Sequence, residues 1–167
     1  EIINIVNESN RTYVPGTRAM EMLRFGLPPG TQDLQVDTGL PGADFLQVDR
    51  GFALLVSVPP GEYEVMYTYR FPYTGAEFSF NRSLNYGAGR MRVLAPLGLM
   101  SLFSEELGVP ETVTVAQSPY QLLEASGLLR GARISVALED LPMSSLAERL
   151  GRRVDRMRFE YVAPVAL

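Results

Sequence analysis

Apolar and polar residues alternate with a period of two along much of this chain. The clearest run covers residues 62–71, and its apolar face carries Tyr63, Val65, Tyr67, Tyr69 and Phe71. Such an alternation is typical of a β-strand with one buried face. A second alternating run precedes it at residues 52–58, and Pro59-Pro60-Gly61 separates the two. We expect two consecutive strands over residues 51–71, joined by a hairpin or by a corner between two sheets.

Similar short runs recur from residue 3 to residue 138, and Gly, Pro or Asn-rich turns punctuate most of the gaps between them. Many short strands at spacings of about 8 to 12 residues are typical of an all-β sandwich or barrel. Inward-facing aromatic residues could fill a core between two sheets, so we predict an all-β, immunoglobulin-like antiparallel β-sandwich, with a barrel as the alternative. Residues 101–107 are the best candidate for a helical turn, ended by Gly108 and Pro110.

The composition removes much of the chemistry that proteins use. The chain has 167 residues and no His, Cys, Lys or Trp, and all 15 of its basic residues are Arg. Catalytic Ser-His-Asp and Cys-His groups, lysine Schiff bases and His or Cys metal sites are therefore excluded. We predict no cofactor, no metal and no enzymatic activity. The net charge of −4 also argues against a nucleic-acid partner.

The charge changes near residue 142. Residues 1–142 carry ten Arg and sixteen acidic residues, whereas residues 143–167 carry five Arg and three acidic residues. We predict a β-sandwich domain over 1–142, followed at 143–167 by an Arg-rich linker or a short amphipathic helix. Its candidate contact residues for a protein partner or a membrane surface are Arg149, Arg152, Arg153 and Arg156.

Asp37-Thr38-Gly39 matches the tripeptide that aspartic proteases use, in which two aspartates share a proton and activate water. One copy in a short chain would need a dimer to complete the pair. Asp-Thr-Gly is also a good turn sequence, and that is the interpretation we favour over a dimeric aspartic protease. Asp33, Asp44 and Asp49 lie near Asp37 and could offer oxygen ligands to calcium, but a solvated acidic edge is the simpler interpretation.

The aromatic residues of the alternating runs fit a core better than a ligand platform. Tyr73 and Tyr86 are exceptions, since both fall in predicted loops. They are our candidate ligand-binding residues, and exposed rings at these positions would favour a carbohydrate-binding module as an alternative function.

Two segments resemble extracytoplasmic immunoglobulin-like domains of bacterial cell-envelope proteins. They are residues 23–36, with Leu-Pro-Pro-Gly-Thr, and residues 51–73, with Val-Pro-Pro-Gly-Glu followed by Tyr-Arg-Phe-Pro-Tyr. The resemblance implies a non-catalytic binding or structural module outside the cytoplasm, with a protein partner in the cell envelope. It also implies that residues 143–167 form a stalk towards a membrane anchor outside this sequence. The first residue is Glu1 and not Met, which is compatible with a signal peptide ahead of it.

Overall fold

The computed structural model describes residues 1–16, 21–48, 50–142 and 164–166. This part of the chain is all-β and contains no helix. Its thirteen strands are β1 (Ile2–Asn7), β2 (Leu23–Gly26), β3 (Gln32–Thr38), β4 (Phe45–Val48), β5 (Gly51–Leu54), β6 (Gly61–Arg70), β7 (Phe78–Leu84), β8 (Ala88–Pro96), β9 (Ser101–Phe103), β10 (Glu111–Val115), β11 (Ser118–Leu128), β12 (Ala132–Glu139) and β13 (Pro164–Ala166). The all-β prediction is therefore confirmed.

The strands form one large sheet and two small ones. The seven-stranded sheet has the order β10-β11-β8-β13-β1-β6-β3, and the three-stranded sheets have the orders β2-β5-β4 and β7-β12-β9. Strand β13 runs parallel to β1, and the other strand pairs are antiparallel. Strands β1 to β6 thus form one half of the large sheet together with the small sheet β2-β5-β4. Strands β7 to β12 form the other half together with the small sheet β7-β12-β9.

The segment 51–71 turns a corner between two sheets. Strand β5 pairs with β2 and β4, whereas β6 pairs with β1 and β3 of the large sheet. The alternation predicted for β6 is confirmed, because Val65 and Tyr67 are buried while Glu64, Met66 and Thr68 are exposed. Of the two connections that the sequence allowed, the corner is therefore the one observed.

Each small sheet covers one half of the large sheet and encloses its own hydrophobic cluster. The first cluster joins β1 and β6 to β2 and β5, with Phe52, Leu54 and Tyr67 almost fully buried. The second joins β8 and β11 to β7, β9 and β12, with Leu123 and Val136 fully buried. The architecture is sandwich-like, with two separate cores along one shared sheet.

Aromatic rings connect the two clusters. Ring contacts form a continuous series from Phe52 of β5, along the second half of β6, to Phe80 of β7. The centroids of successive rings are between 4.5 and 6.3 Å apart. The intermediate rings are Tyr67, Tyr69, Phe71 and Phe78. The aromatic residues of the alternating runs therefore pack mainly inside the protein and tie its two halves together.

The predicted helical turn at 101–107 is wrong. Residues 101–103 form β9, which pairs with β12, and a bridge between Ser104 and Gly108 closes a turn after it. The extended backbone is fixed by the side chain of Gln121, which donates to the Met100 carbonyl oxygen at 2.9 Å and accepts from the Leu102 N–H at 3.1 Å. Two such bonds from a neighbouring strand favour the extended form over a single helical turn.

The predicted tail at 143–167 lies outside the described residues except for β13. The boundary at residue 142 and the division into one domain and a tail stay predictions. In the part of the chain that the structure describes, no helix is long and apolar enough to cross a membrane.

Candidate functional site

A buried ion pair joins the start of the chain to β7. Arg82 and Glu1 form this pair, and their side chains are only 12% and 15% exposed. Glu1 is held in place by the sheet, since its backbone nitrogen donates to the Tyr67 carbonyl oxygen at 2.6 Å and its own carbonyl oxygen accepts from the Tyr67 N–H at 2.8 Å. The pair therefore links the seven-stranded sheet to the sheet that contains β7.

The polar atoms of the pair have partners on all sides. The Glu1 carboxylate accepts hydrogen bonds from the hydroxyls of Tyr67, at 2.6 Å, and Tyr69. Arg82 donates through one guanidinium nitrogen to Glu1 and through the other to the carbonyl oxygen of Gly26, at the end of β2. One side chain thus contacts both small sheets and the large one.

Electrostatics favour the ionised form of this pair. Burial by itself would raise the pKa of the Glu1 carboxyl, but the Arg82 guanidinium and the two tyrosine hydroxyls outweigh burial and lower the pKa. Burial would lower the pKa of Arg82, yet the Glu1 carboxylate raises it above its usual value. Burial, and next the Glu1 carboxylate, raise the pKa of Tyr67 well above its usual value, so that hydroxyl stays protonated and donates.

Neither residue of the pair is among the site residues predicted from the sequence, although the alternation contains a signal for both. Phe78, Phe80 and Leu84 face inward along β7, and Arg82 occupies the position between Phe80 and Leu84 in the same period of two. Glu1 likewise precedes the buried Ile3 and Ile5 on the same face. A charged residue at an inward position of a strand predicts a buried partner of opposite charge.

A cavity lies beside the ion pair, between the edges of β2 and β7. Its volume is about 90 Å³, and it is open to solvent on one side. Apolar side chains from both clusters make up most of its wall, including Phe25, Phe80, Met91 and Val93. Such a pocket with a few polar groups is the usual form of a small-molecule site.

Tyr86 lines this cavity and Tyr73 does not. The hydroxyl of Tyr86 donates to the Met22 carbonyl oxygen at 3.0 Å and accepts from the Arg24 N–H at 3.3 Å, while that of Tyr73 donates to the Pro142 carbonyl oxygen at 2.8 Å. Both rings are exposed, at 38% and 37%. Each hydroxyl is therefore hydrogen-bonded to a different backbone segment, and the two tyrosines do not line the same cavity.

The acidic residues of the Asp-Thr-Gly region are spread along an edge. Asp37 is exposed in β3, which has β6 as its strand neighbour. Asp33 pairs with Arg70 at 3.2 Å, and the Asp44 carboxylate accepts from the Phe45 N–H at 2.8 Å. Within the described residues, no group of three or more potential metal-ligating side chains occurs. Asp49 lies outside them, as do Arg149, Arg152, Arg153 and Arg156.

A second candidate site is the outer edge of β4, which has no strand neighbour among the residues that the structure describes. All four residues of this strand are exposed, and three of them are apolar: Phe45, Leu46 and Val48. By the pleat of the sheet, Leu46 and Val48 point away from the core, and Leu55 lies beside them on the same outer face. The three are 51%, 40% and 42% exposed, respectively. Apolar residues at an unpaired strand edge are unusual in a protein that remains alone.

Fold and site together define an all-β, sandwich-like protein with two cores, a buried ion pair between them and an apolar strand edge. No family model, curated protein or solved structure matches this chain.

Proposed function

We propose that this chain is a non-catalytic, immunoglobulin-like module of a bacterial cell-envelope protein, located outside the cytoplasm, that binds another protein through the edge of β4. The observation that carries the binding role is the edge itself: four consecutive exposed residues, three of them apolar, on a strand with one neighbour. Location and envelope context rest on the resemblance of residues 23–36 and 51–73 to such domains.

The backbone of β4 offers hydrogen-bonding groups to a partner. Leu55 donates to the Asp44 carbonyl oxygen at 2.9 Å, and the register then makes Leu46 and Val48 the residues hydrogen-bonded to β5. The N–H and carbonyl groups of Gln47 and the carbonyl group of Phe45 consequently face outward. These groups are spaced as an added antiparallel or parallel strand requires.

The side chains on and beside β4 indicate which kind of segment would bind at this edge. Leu46, Val48 and Leu55 form a small apolar surface directly beside the free edge, and β4 itself contains no charged residue or Pro that would block pairing. The partner is therefore an extended segment of another protein with alternating apolar residues. Backbone bonds along β4 would supply affinity, and the apolar surface would select the side chains.

The test is selection of displayed random peptides on the immobilised full chain, followed by binding measurements on two variants. Leu46→Lys places a charge on the apolar surface, and Gln47→Pro removes an outward N–H while leaving the bonds to β5 in place. We expect enrichment of peptides with alternating apolar residues, and loss of their binding to both variants. Thr112→Lys, on the exposed edge strand β10, is the matched control and should bind as well as the original chain.

Peptides that bind equally well to the Leu46→Lys variant would show that another surface is used. A selection without enrichment would contradict strand capture altogether. Location is tested separately, by adding protease to cells of the source bacterium whose outer layers are permeabilised. The chain should be cut while a cytosolic marker is spared, and protection of the chain would contradict the location.

A further inference from the structure

The cavity between β2 and β7 contains one charged side chain that the protein itself does not neutralise. Arg82 and Glu1 neutralise each other in its wall. Arg24 also lines the cavity, and within the described residues no carboxylate lies close enough to its guanidinium to form an ion pair. The cavity therefore presents an apolar interior and one available positive charge.

The backbone of Arg24 is fixed from both sides. It pairs with Ala53 in the middle of β2, and its N–H donates to the Tyr86 hydroxyl at 3.3 Å. Arg24 is partly exposed and lines the cavity. A guanidinium is well suited to a carboxylate, which accepts two of its N–H groups at once.

The interior of the cavity sets the rest of the ligand. Phe25, Phe80, Met91 and Val93 are apolar, and aromatic rings and thioethers pack well against a flat ring or a short hydrocarbon chain. An apolar cavity of about 150 Å³ in another protein holds benzene. The volume of about 90 Å³ here therefore fits part of one ring, and the open side leaves room for the remainder.

We infer that this cavity binds a small monocarboxylic acid with an apolar body about the size of one aromatic ring. The apolar body enters between β2 and β7, and the carboxylate pairs with Arg24 at the rim. No residue of β4 lines the cavity, so ligand binding there is measured separately from binding at the β4 edge.

The test is a titration of the full chain with benzoate, with benzyl alcohol as an uncharged probe of nearly the same shape, followed by two-dimensional NMR. Saturable shifts are expected at residues that line the cavity, including Phe80 and Met91. In the Arg24→Gln variant benzoate should bind about tenfold more weakly, because a charge-assisted pair is lost, while benzyl alcohol should bind unchanged. Arg24→Lys should recover part of the benzoate affinity.

Arg70→Gln is the matched control, because Arg70 is an exposed arginine that does not line the cavity. This variant should bind both probes like the original chain. A second cavity variant, Val93→Phe, enlarges a buried side chain of the wall, reduces the space and should weaken both probes together. The inference is overturned if benzoate gives no saturable shifts at the cavity, if its shifts are scattered over the surface, or if Arg24→Gln binds it with unchanged affinity.

Discussion

Replacing Arg82 by Met should destabilise the protein strongly. The change keeps an apolar stem of similar length but leaves the Glu1 carboxylate buried, 15% exposed, with two tyrosine hydroxyls and no cation from β7. Removing one partner of a buried ion pair costs about 3 to 5 kcal/mol of unfolding free energy. The carbonyl oxygen of Gly26 also loses its donor. Because domains have a stability of roughly 5 to 15 kcal/mol, the loss is a large share of the total.

Urea unfolding of the full chain, followed by tyrosine fluorescence and circular dichroism, measures this loss. The informative comparison is the double variant Glu1→Leu/Arg82→Met, which removes both charges and fills the space with apolar atoms. Replacement of a whole buried pair by apolar residues is often neutral or stabilising. We therefore expect the double variant to recover part of the stability that the single variant loses, since the Tyr67 and Tyr69 hydroxyls and the Gly26 carbonyl oxygen still lose these partners. Equal losses in both, or a loss below about 1 kcal/mol in Arg82→Met, would refute the role of the pair.

The pair should also make stability depend on pH. Since the pKa of Glu1 is lower in the folded protein than its ordinary value of 4.5, the unfolded chain binds the proton more tightly. The stabilisation is then complete above the unfolded value and is lost as the pH falls through the folded value. On acidification over that window, the unfolding free energy of the original chain should fall relative to that of the double variant, which lacks the Glu1 carboxylate. A difference that does not change with pH would contradict this assignment.

Two further substitutions test the fold, each with its own control. Gly51→Ala should lower the unfolding free energy by about 3 kcal/mol or more, since the new methyl group would lie 1.9 Å from the Phe25 carbonyl oxygen. The control Gly98→Ala has open space around the new methyl group and should lower it by only about 1 kcal/mol. Equal losses of unfolding free energy in urea would disprove the close approach at Gly51. Leu123→Ala should lower the unfolding free energy by about 2 to 5 kcal/mol because the Leu123 side chain is fully buried. The control Leu129→Ala should change it little, because Leu129 is 79% exposed. A larger loss in Leu129→Ala than in Leu123→Ala would show that Leu123 is not part of the second core.

The alternation of residues was enough to predict strands but not how they are shared among sheets. In β6 a single period of two gives the correct buried face, because both neighbours, β1 and β3, lie in the same sheet. The presence of two cores depends on which strands pair between residues far apart in the chain, such as Gln121 with Ala95 or Ile134 with Arg82. Local pattern carries no information on such pairings. The helical turn predicted at residues 101–107 was wrong for the same reason, since the extended backbone there depends on the side chain of Gln121, which is distant in the sequence.

Parts of the candidate site were accessible to sequence reasoning and parts were not. Tyr86 was selected as a loop aromatic and does line the cavity. Arg82 could have been found from its inward position in the alternation of β7, whereas nothing in the sequence distinguishes Arg24 from the other arginines, because its environment arises only when β2 and β7 meet. The free edge of β4 was equally hidden, since a short apolar segment predicts a buried strand unless the order of strands in the sheet is known.

The ion pair and the cavity have one structural origin. Strands β2 and β7 are the edges of two different small sheets, and among the described strands no backbone ladder joins them. Along this gap the guanidinium of Arg82 bonds to the Gly26 carbonyl oxygen, where a neighbouring strand would otherwise supply an N–H. A side chain fills less space than a strand, and the volume left over is the cavity. The gap between β2 and β7 is therefore both the place that Arg82 bridges and the origin of the cavity. A ligand in the cavity would contact both strands and would stabilise this junction as well.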